Sequence, residues 1–290
     1  MDFRNGQELL ELCEKKQMTI SQVMKEREIT CGTLTDKEIM EKLKTVLSIM
    51  KAAVNEPLTH PKKSNGGLIG GEAKKVSDFG NTSRSICGSL LNKAISYSMA
   101  VLEVNASMGL IVAAPTAGSS GVIPGVLLAL QEEKLYSDEL LYDALLNASA
   151  IGYLLMRNAS VSGAEAGCQA EVGAASAMAA SAVVEMMGGT PQMCLQAASI
   201  AISNLLGMVC DPIAGLVEAP CQARNSIGAA NAITCAELAL AGVTHPIPFD
   251  EMSDAMLRVG KSIPFELRET AMGGCAGTPT GCSLGCGMCS

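Results

Sequence analysis

From Ser85 onward the apolar residues recur every three or four positions, one segment after another, with little alternation of period two. That spacing predicts helices over about 85–106, 121–133, 138–158, 164–187, 191–207, 223–241 and 250–261. An earlier helix is expected from a cap at Asp36 to about Asn55, with Met40, Leu43, Val46, Leu47 and Met50 on its buried face. Thr190-Pro191 reads as an N-cap followed by proline at the first helical position. Ser162-Gly-Ala-Glu165 reads as a capping box. The stretch from Pro57 to Asn81, with Gly66, Gly67, Gly70 and Gly71, reads as a long loop, and loops of that length are usually functional or disordered. The expected fold class is all-α. A small helical segment occupies 1–57, the larger helical domain 58–281, and a Cys-rich flexible tail 282–290.

Composition sharpens this picture. Of 290 residues, 48% are apolar and only 17% charged, which argues against disorder and for an extensive buried face. Aromatics make up 3% and tryptophan is absent, so Ala, Leu, Ile, Val and Met must fill the core. The net charge of −8 and scattered basic residues argue against nucleic acid as a partner. The apolar stretches 107–130 and 172–187 are not read as membrane spans. Pro115, Pro124 and four glycines break the first, and the second is short and contains Glu185. No apolar signal region opens the chain, so a cytoplasmic protein is expected, its 12 cysteines mostly reduced thiols.

Three cysteines stand out. Cys168 is surrounded by small residues, Gly163, Ala164, Ala166, Gly167 and Ala170, and is expected in the second turn of the helix begun by Ser162. Cys210 and Cys221 bracket a segment rich in turn formers. A straight helix from Pro212 to Pro220 would hold them apart by roughly 13 Å, at about 1.5 Å per residue. Pro212, Gly215 and Pro220 predict instead a chain that turns back and points both thiols at one place. The spacing matches no zinc ribbon or finger. Three thiols could hold an iron–sulfur cluster with one iron open. They could equally be three buried structural cysteines, or part of a zinc-stabilised helical interaction protein without catalysis.

Polar loops surround them. In Ala114-Pro-Thr-Ala-Gly-Ser-Ser-Gly121, Ser119 or Ser120 can cap a helix whose free N–H groups could bind a carboxylate. The glycines of Ser64-Asn-Gly-Gly67 permit close approach to a small ligand, or form an ordinary surface turn. Arg224 could hold a substrate carboxylate, screen thiolates, or pair with Glu218. Lys74 reads as solvated, and no phosphate cradle suggests pyridoxal phosphate.

The run from Ser64 to Gly281 resembles the α chain of the two-subunit, iron–sulfur-dependent bacterial L-serine dehydratases. The resemblance rests on Lys63-Ser-Asn-Gly-Gly-Leu-Ile-Gly-Gly-Glu-Ala-Lys74, Ala114 to Gly121, Gly163-Ala-Glu-Ala-Gly-Cys-Gln-Ala-Glu171, Cys210-Asp-Pro to Asn225, and Arg268-Glu-Thr to Gly281, all in the family's order. It implies an all-helical catalytic domain and a [4Fe–4S] cluster on Cys168, Cys210 and Cys221. It also implies conversion of L-serine to pyruvate and ammonia, and a separate β subunit. Carried onto this chain, Ser64, Ser119 and Ser120 become candidates for catalysis, and Asn65, Gly66, Thr116 and Arg224 for substrate binding. A related lyase acting on L-cysteine or L-threonine stays open. The chain departs from the family at Cys275 and in Cys282-Ser-Leu-Gly-Cys286-Gly-Met-Cys289. That run has the spacing of radical-SAM enzymes but stands at the chain end, where such motifs do not occur. A tail thiol resting on the open iron is the intermediate possibility.

Overall fold

The computed structural model describes residues 1–288, of which 286–288 by backbone alone. It is helical throughout the described residues, as expected, with no β-strand and one isolated bridge between Cys210 and Arg268. The first three helices are α1 (Gly6–Lys16), α2 (Ile20–Cys31) and α3 (Asp36–Thr59). Next come α4 (Glu72–Gly80), α5 (Gly88–Ala106), α6 (Val122–Lys134), α7 (Asp138–Asn158) and α8 (Gly163–Ala166). A π-helical turn, Gln169–Gly173, leads into α9 (Ala174–Met186). Then follow α10 (Pro191–Asn204), α11 (Cys221–Leu240), α12 (Phe249–Ser262) and α13 (Pro279–Met288).

The pivot of the molecule is α9. Ala174, Ala175, Ala177, Ala179, Ala180 and Ala182 are all fully buried, and Ser176 and Ser181 are buried with them. A helix hydrophobic all round must be surrounded, and α6, α7, α10 and α11 pack against this one. Small side chains let their axes come close. Gly228 of α11 serves the same end: a Cβ there would stand 2.7 Å from Val172 Cγ1. The buried cluster is continuous from Phe3, Leu9 and Ile20 through Ile123, Leu154 and Ile202 to Met256.

The one acidic residue in this apolar stretch has a task. Glu185 accepts hydrogen bonds from the backbone N–H of Ile20 (3.0 Å) and Ser21 (3.3 Å), the free donors at the start of α2. Asn147 Nδ2 donates to it at 2.8 Å, and Ser181 Oγ donates to Asn147 Oδ1 at 2.6 Å. No helix among the described residues is long and apolar enough to cross a membrane.

Several boundaries differ from expectation. Thr35, not Asp36, caps α3, because its hydroxyl and Glu38 complete a capping box. Thr190 caps α10 with Pro191 first, as read. Within the expected loop 57–81 lies α4, too short and too rich in lysine to show an apolar period. The helix expected over 164–187 is broken at Gly167, which adopts φ +76°. The flexible tail expected over 282–290 is helical as far as it is described, as part of α13 (Pro279–Met288). Of the tail cysteines, the side chain of Cys286 and all of Cys289 lie outside the described residues.

Candidate active site

The break at Gly167 places Cys168. A Cβ at 167 would stand 2.8 Å from both the Met208 carbonyl oxygen and Ile263 Cδ1, besides the positive φ. Gln169 then locks the turn: its N–H donates to Met208 O (3.0 Å), its Nε2 to Met256 O (2.8 Å), and its Oε1 accepts from Gly207 N (2.8 Å). Cys168 thus sits at the head of the π-helical turn, not in the second turn of a continuous helix. Cys210 is held by the C-terminal segment, its N–H donating to Leu267 O (2.9 Å) and its carbonyl accepting from Glu269 N (2.6 Å). After Pro212 the chain makes a single 3-10 turn, and Ile213 N closes the loop on Ala219 O at 2.9 Å. Cys221 opens α11. The return predicted from Pro212, Gly215 and Pro220 is therefore present.

All three thiols are buried, at 3%, 3% and 6% exposure for Cys168, Cys210 and Cys221. They influence one another. The Cys210 thiol is pushed far up, first by its hydrogen bond with Cys168 and then by burial. Cys221 is pushed up to about 12 by burial and then by Cys168. A Cβ at Gly163 would lie 3.0 Å from Cys210 Sγ, so residue 163 has to be bare. Among the described residues no three His, Cys, Asp or Glu side chains are grouped as a metal ion requires. A polynuclear iron–sulfur cluster asks something different, because each thiolate binds its own iron and the sulfurs stand further apart. The donor set fits such a group: soft thiols from three segments, shielded from water, walled by glycine and alanine.

Glu171, one short turn after Cys168, faces the same space. Thr116 Oγ1 donates to Glu171 Oε1 at 2.7 Å and lies 3.1 Å from Ser119 Oγ. Cys210 Sγ stands 3.8 Å from Glu171 Oε2. Burial raises the Glu171 pKa, and the Thr116 hydroxyl pulls it back in part. Asn225, fully buried, binds the 114–121 loop to α11. Its Oδ1 accepts from Gly121 N (3.0 Å), and its Nδ2 donates to Gly118 O (2.7 Å) and Cys221 O (2.9 Å).

The 64–70 loop is tied to the same Cys210–Cys221 segment by Glu218. This carboxylate, 3% exposed, accepts from Ser64 Oγ (2.6 Å), Gly66 N (2.7 Å) and Leu68 N (3.0 Å). A Cβ at Gly66 would collide with Glu218 and Leu216. Ser64 Oγ also accepts from Ile69 N at 3.3 Å. Asn65 points its exposed side chain outward while its N–H holds Ala106 O at 2.9 Å.

Arg224 pairs with Asp211, not Glu218. Nη2 stands 2.6 Å from Asp211 Oδ1, a charge contact off the axis of a hydrogen bond, and Nη1 donates to Val209 O at 2.9 Å. Burial works to lower the Arg224 pKa, but Cys168 and Asp211 outweigh it and raise it. Asp211 Oδ2 accepts from Cys275 N at 2.6 Å, which fastens the C-terminal segment over the cysteines. Burial and then Asp211 raise the Cys275 thiol.

The family profile described as "Serine dehydratase alpha chain" matches residues 15–276. The chain belongs to the serine dehydratase alpha-chain family. It is 48% identical over 282 residues to "Probable L-serine dehydratase, alpha chain" of Bacillus subtilis, covering 97% of this chain and 94% of that one. It is 46% identical over 279 residues to "L-serine dehydratase, alpha chain" of Peptoniphilus asaccharolyticus, covering 96% of each. The "L-serine dehydratase" of Streptomyces coelicolor is longer: 38% identity spans 94% of this chain but only 60% of the relative.

In this member of the serine dehydratase alpha-chain family, two expectations for single side chains change. Glu165 is bonded by Ser160 Oγ (2.6 Å) and makes no capping box with Ser162, because the Ser162 side chain leaves the cap open. Neither Ser119 nor Ser120 caps α6; both are buried, and Ser120 Oγ donates to Ala117 O at 2.8 Å. Lys74, read as solvated, pairs with Asp78 at the surface. Sequence alone offers Glu218 only as a partner for Arg224, and gives Glu171, Asp211 and Asn225 no part in the site. Their signal was weak but present: four polar residues in otherwise apolar or glycine-rich surroundings.

Proposed function

We propose that this chain is the α subunit of an L-serine ammonia-lyase that converts L-serine to pyruvate and ammonia, with a [4Fe–4S] cluster held by Cys168, Cys210 and Cys221. What carries this reading is the meeting of three buried thiols from separate segments beside an array of hydroxyls and carboxylates. The names of the relatives support the reaction and the alpha-chain part of this reading. Such a cluster, when bound with one iron open, supplies Lewis acidity toward the substrate's β-hydroxyl.

The protein's own side chains supply the rest. Arg224, cationic beside Cys168 and Asp211, screens the thiolates and draws the substrate carboxylate toward the site. Thr116, fixed by Glu171, orients the substrate, and the turn at Asn65 and Gly66, whose N–H groups are held by Ala106 O and Glu218, shapes the wall beside it. Ser64 is the base we favour. Its hydroxyl already donates to Glu218 Oε2, so as Oγ takes the substrate's α-proton, its own passes to the carboxylate. The buried Ser119 and Ser120 then act as positioning groups. The proton then held by Glu218 is returned to the departing β-hydroxyl, which leaves as water; the aminoacrylate formed tautomerises to the imine and hydrolyses in solution.

The test is replacement of each cysteine by alanine, with anaerobic iron analysis and a pyruvate assay. Each variant is expected to lose iron and activity together. Full iron content and turnover in all three variants would defeat the proposal.

A further inference from the structure

Glu103, near the end of α5, is 2% exposed, and the protein meets only half of its carboxylate. Oε1 accepts from Ala73 N at the start of α4 (2.9 Å) and from Gln222 Nε2 (2.9 Å). Oε2 is buried and has no hydrogen-bond partner among the described residues. A carboxylate taken out of water needs its lone pairs met, as three donors meet those of Glu218.

Glu103 also lines a cavity of about 10 Å³ beside the C-terminal end of α3, room for one particle the size of a water molecule. Its surroundings are rich in acceptors. Pro57, in the last turn of α3, has no N–H, and its carbonyl accepts no hydrogen bond among the described residues. Ser107 Oγ donates to the Glu103 carbonyl at 2.8 Å, so lone pairs are what it offers the cavity. The C-terminal end of a helix carries partial negative charge, and no basic residue stands in the last turn of α3. Of the charged lining residues, Glu56 and Lys62 cancel as an ion pair. The charge of Glu103 is left over.

We propose that this cavity holds one dehydrated monovalent cation of about the size of water, potassium or ammonium, on Glu103 Oε2 and the neighbouring oxygens. A water would donate to Oε2 but leave its charge uncancelled. A single carboxylate among neutral oxygens suits a single charge, and among the described residues no three His, Cys, Asp or Glu side chains are grouped for a divalent ion. Through Ala73 and Gln222, the ion fastens α4 and α5 to the start of α11. The site does not depend on the reaction proposed above.

The test is thermal melting of the full chain at constant ionic strength, with tetramethylammonium chloride replaced stepwise by potassium, ammonium or lithium chloride. Potassium or ammonium is expected to raise the melting temperature by about 2 °C or more and to level off as the site fills. Comparing those two salts tells which ion is preferred. Lithium, too small for the cage and held by its own water, is expected to give no such rise. Glu103→Gln keeps the shape, removes the charge and is expected to abolish the response. Crystals soaked in thallous acetate, a potassium substitute with strong anomalous scattering, are expected to show the ion against Glu103 Oε2. That readout needs no variant, so it decides the matter even if Glu103→Gln fails to fold. Equal melting in all four salts, a lithium rise that matches potassium, a response that survives in Glu103→Gln, or crystals without thallous ion at Glu103 overturns the proposal.

Discussion

Glu218 takes three hydrogen bonds from one loop, and one of them is the hydroxyl of Ser64. A carboxylate buried this deeply is costly unless its lone pairs are met, and here N–H and O–H donors meet them. The arrangement holds Ser64 Oγ as a donor to Glu218 and an acceptor from Ile69 N, which leaves one lone pair of the oxygen without a protein donor. Ser64→Ala is expected to lower kcat by about 10²–10⁴-fold, the usual range for a general base, with KM little changed. Glu218→Gln keeps the size and loses the proton acceptor, so a fall in kcat with intact folding is expected from steady-state kinetics and circular dichroism. Wild-type turnover in Ser64→Ala would move the base to another group. The sequence drew attention to Ser64 through its glycine-rich setting. It offered Glu218 to Arg224 rather than to Ser64, because 154 positions separate Ser64 from Glu218 and only the folded chain closes that gap.

At the scale of elements, the break between α8 and α9 matters most. The apolar period runs unbroken over 164–187, so a sequence pattern reads one helix. Gly167 interrupts it because Met208 and Ile263 press against its α-carbon, leaving no room for a side chain. The π-helical turn that follows re-aims Cys168 and Glu171 toward the thiols and hydroxyls of the other loops, a use to which π segments are often put. Gly167→Ala is expected to cost at least about 1–3 kcal/mol from the left-handed backbone alone, with the clash added to it. Gly207 has φ +84° but open space around its α-carbon, so Gly207→Ala should cost less. Urea titrations followed by circular dichroism compare the two. Equal losses would mean that packing at Gly167 contributes nothing. The opposite error occurred at α4, which is present but invisible to periodicity because it buries only Ala73.

For the whole molecule, the decisive feature is a core of small residues around α9. Ala177 is fully buried in it, and Ala241 lies exposed just past the end of α11. Ala177→Leu is expected to destabilise by about 1–3 kcal/mol through overpacking. Ala241→Leu should stay within about 0.5 kcal/mol. Thermal melts of both variants check this, and a tolerated leucine at 177 would contradict close packing around α9. What the sequence determined alone was whatever depends on neighbours in the chain: the helical period, the caps at Thr190, the turning segment between Cys210 and Cys221, and the motifs of the family. Those signals are local, since propensity, capping and turn chemistry act over a few residues. Tertiary structure decided which polar groups meet. Pairings such as Ser64 with Glu218, Thr116 with Glu171, Arg224 with Asp211 and Asn225 with Gly118 depend on the angles at which helices cross, and those angles follow from packing around α9.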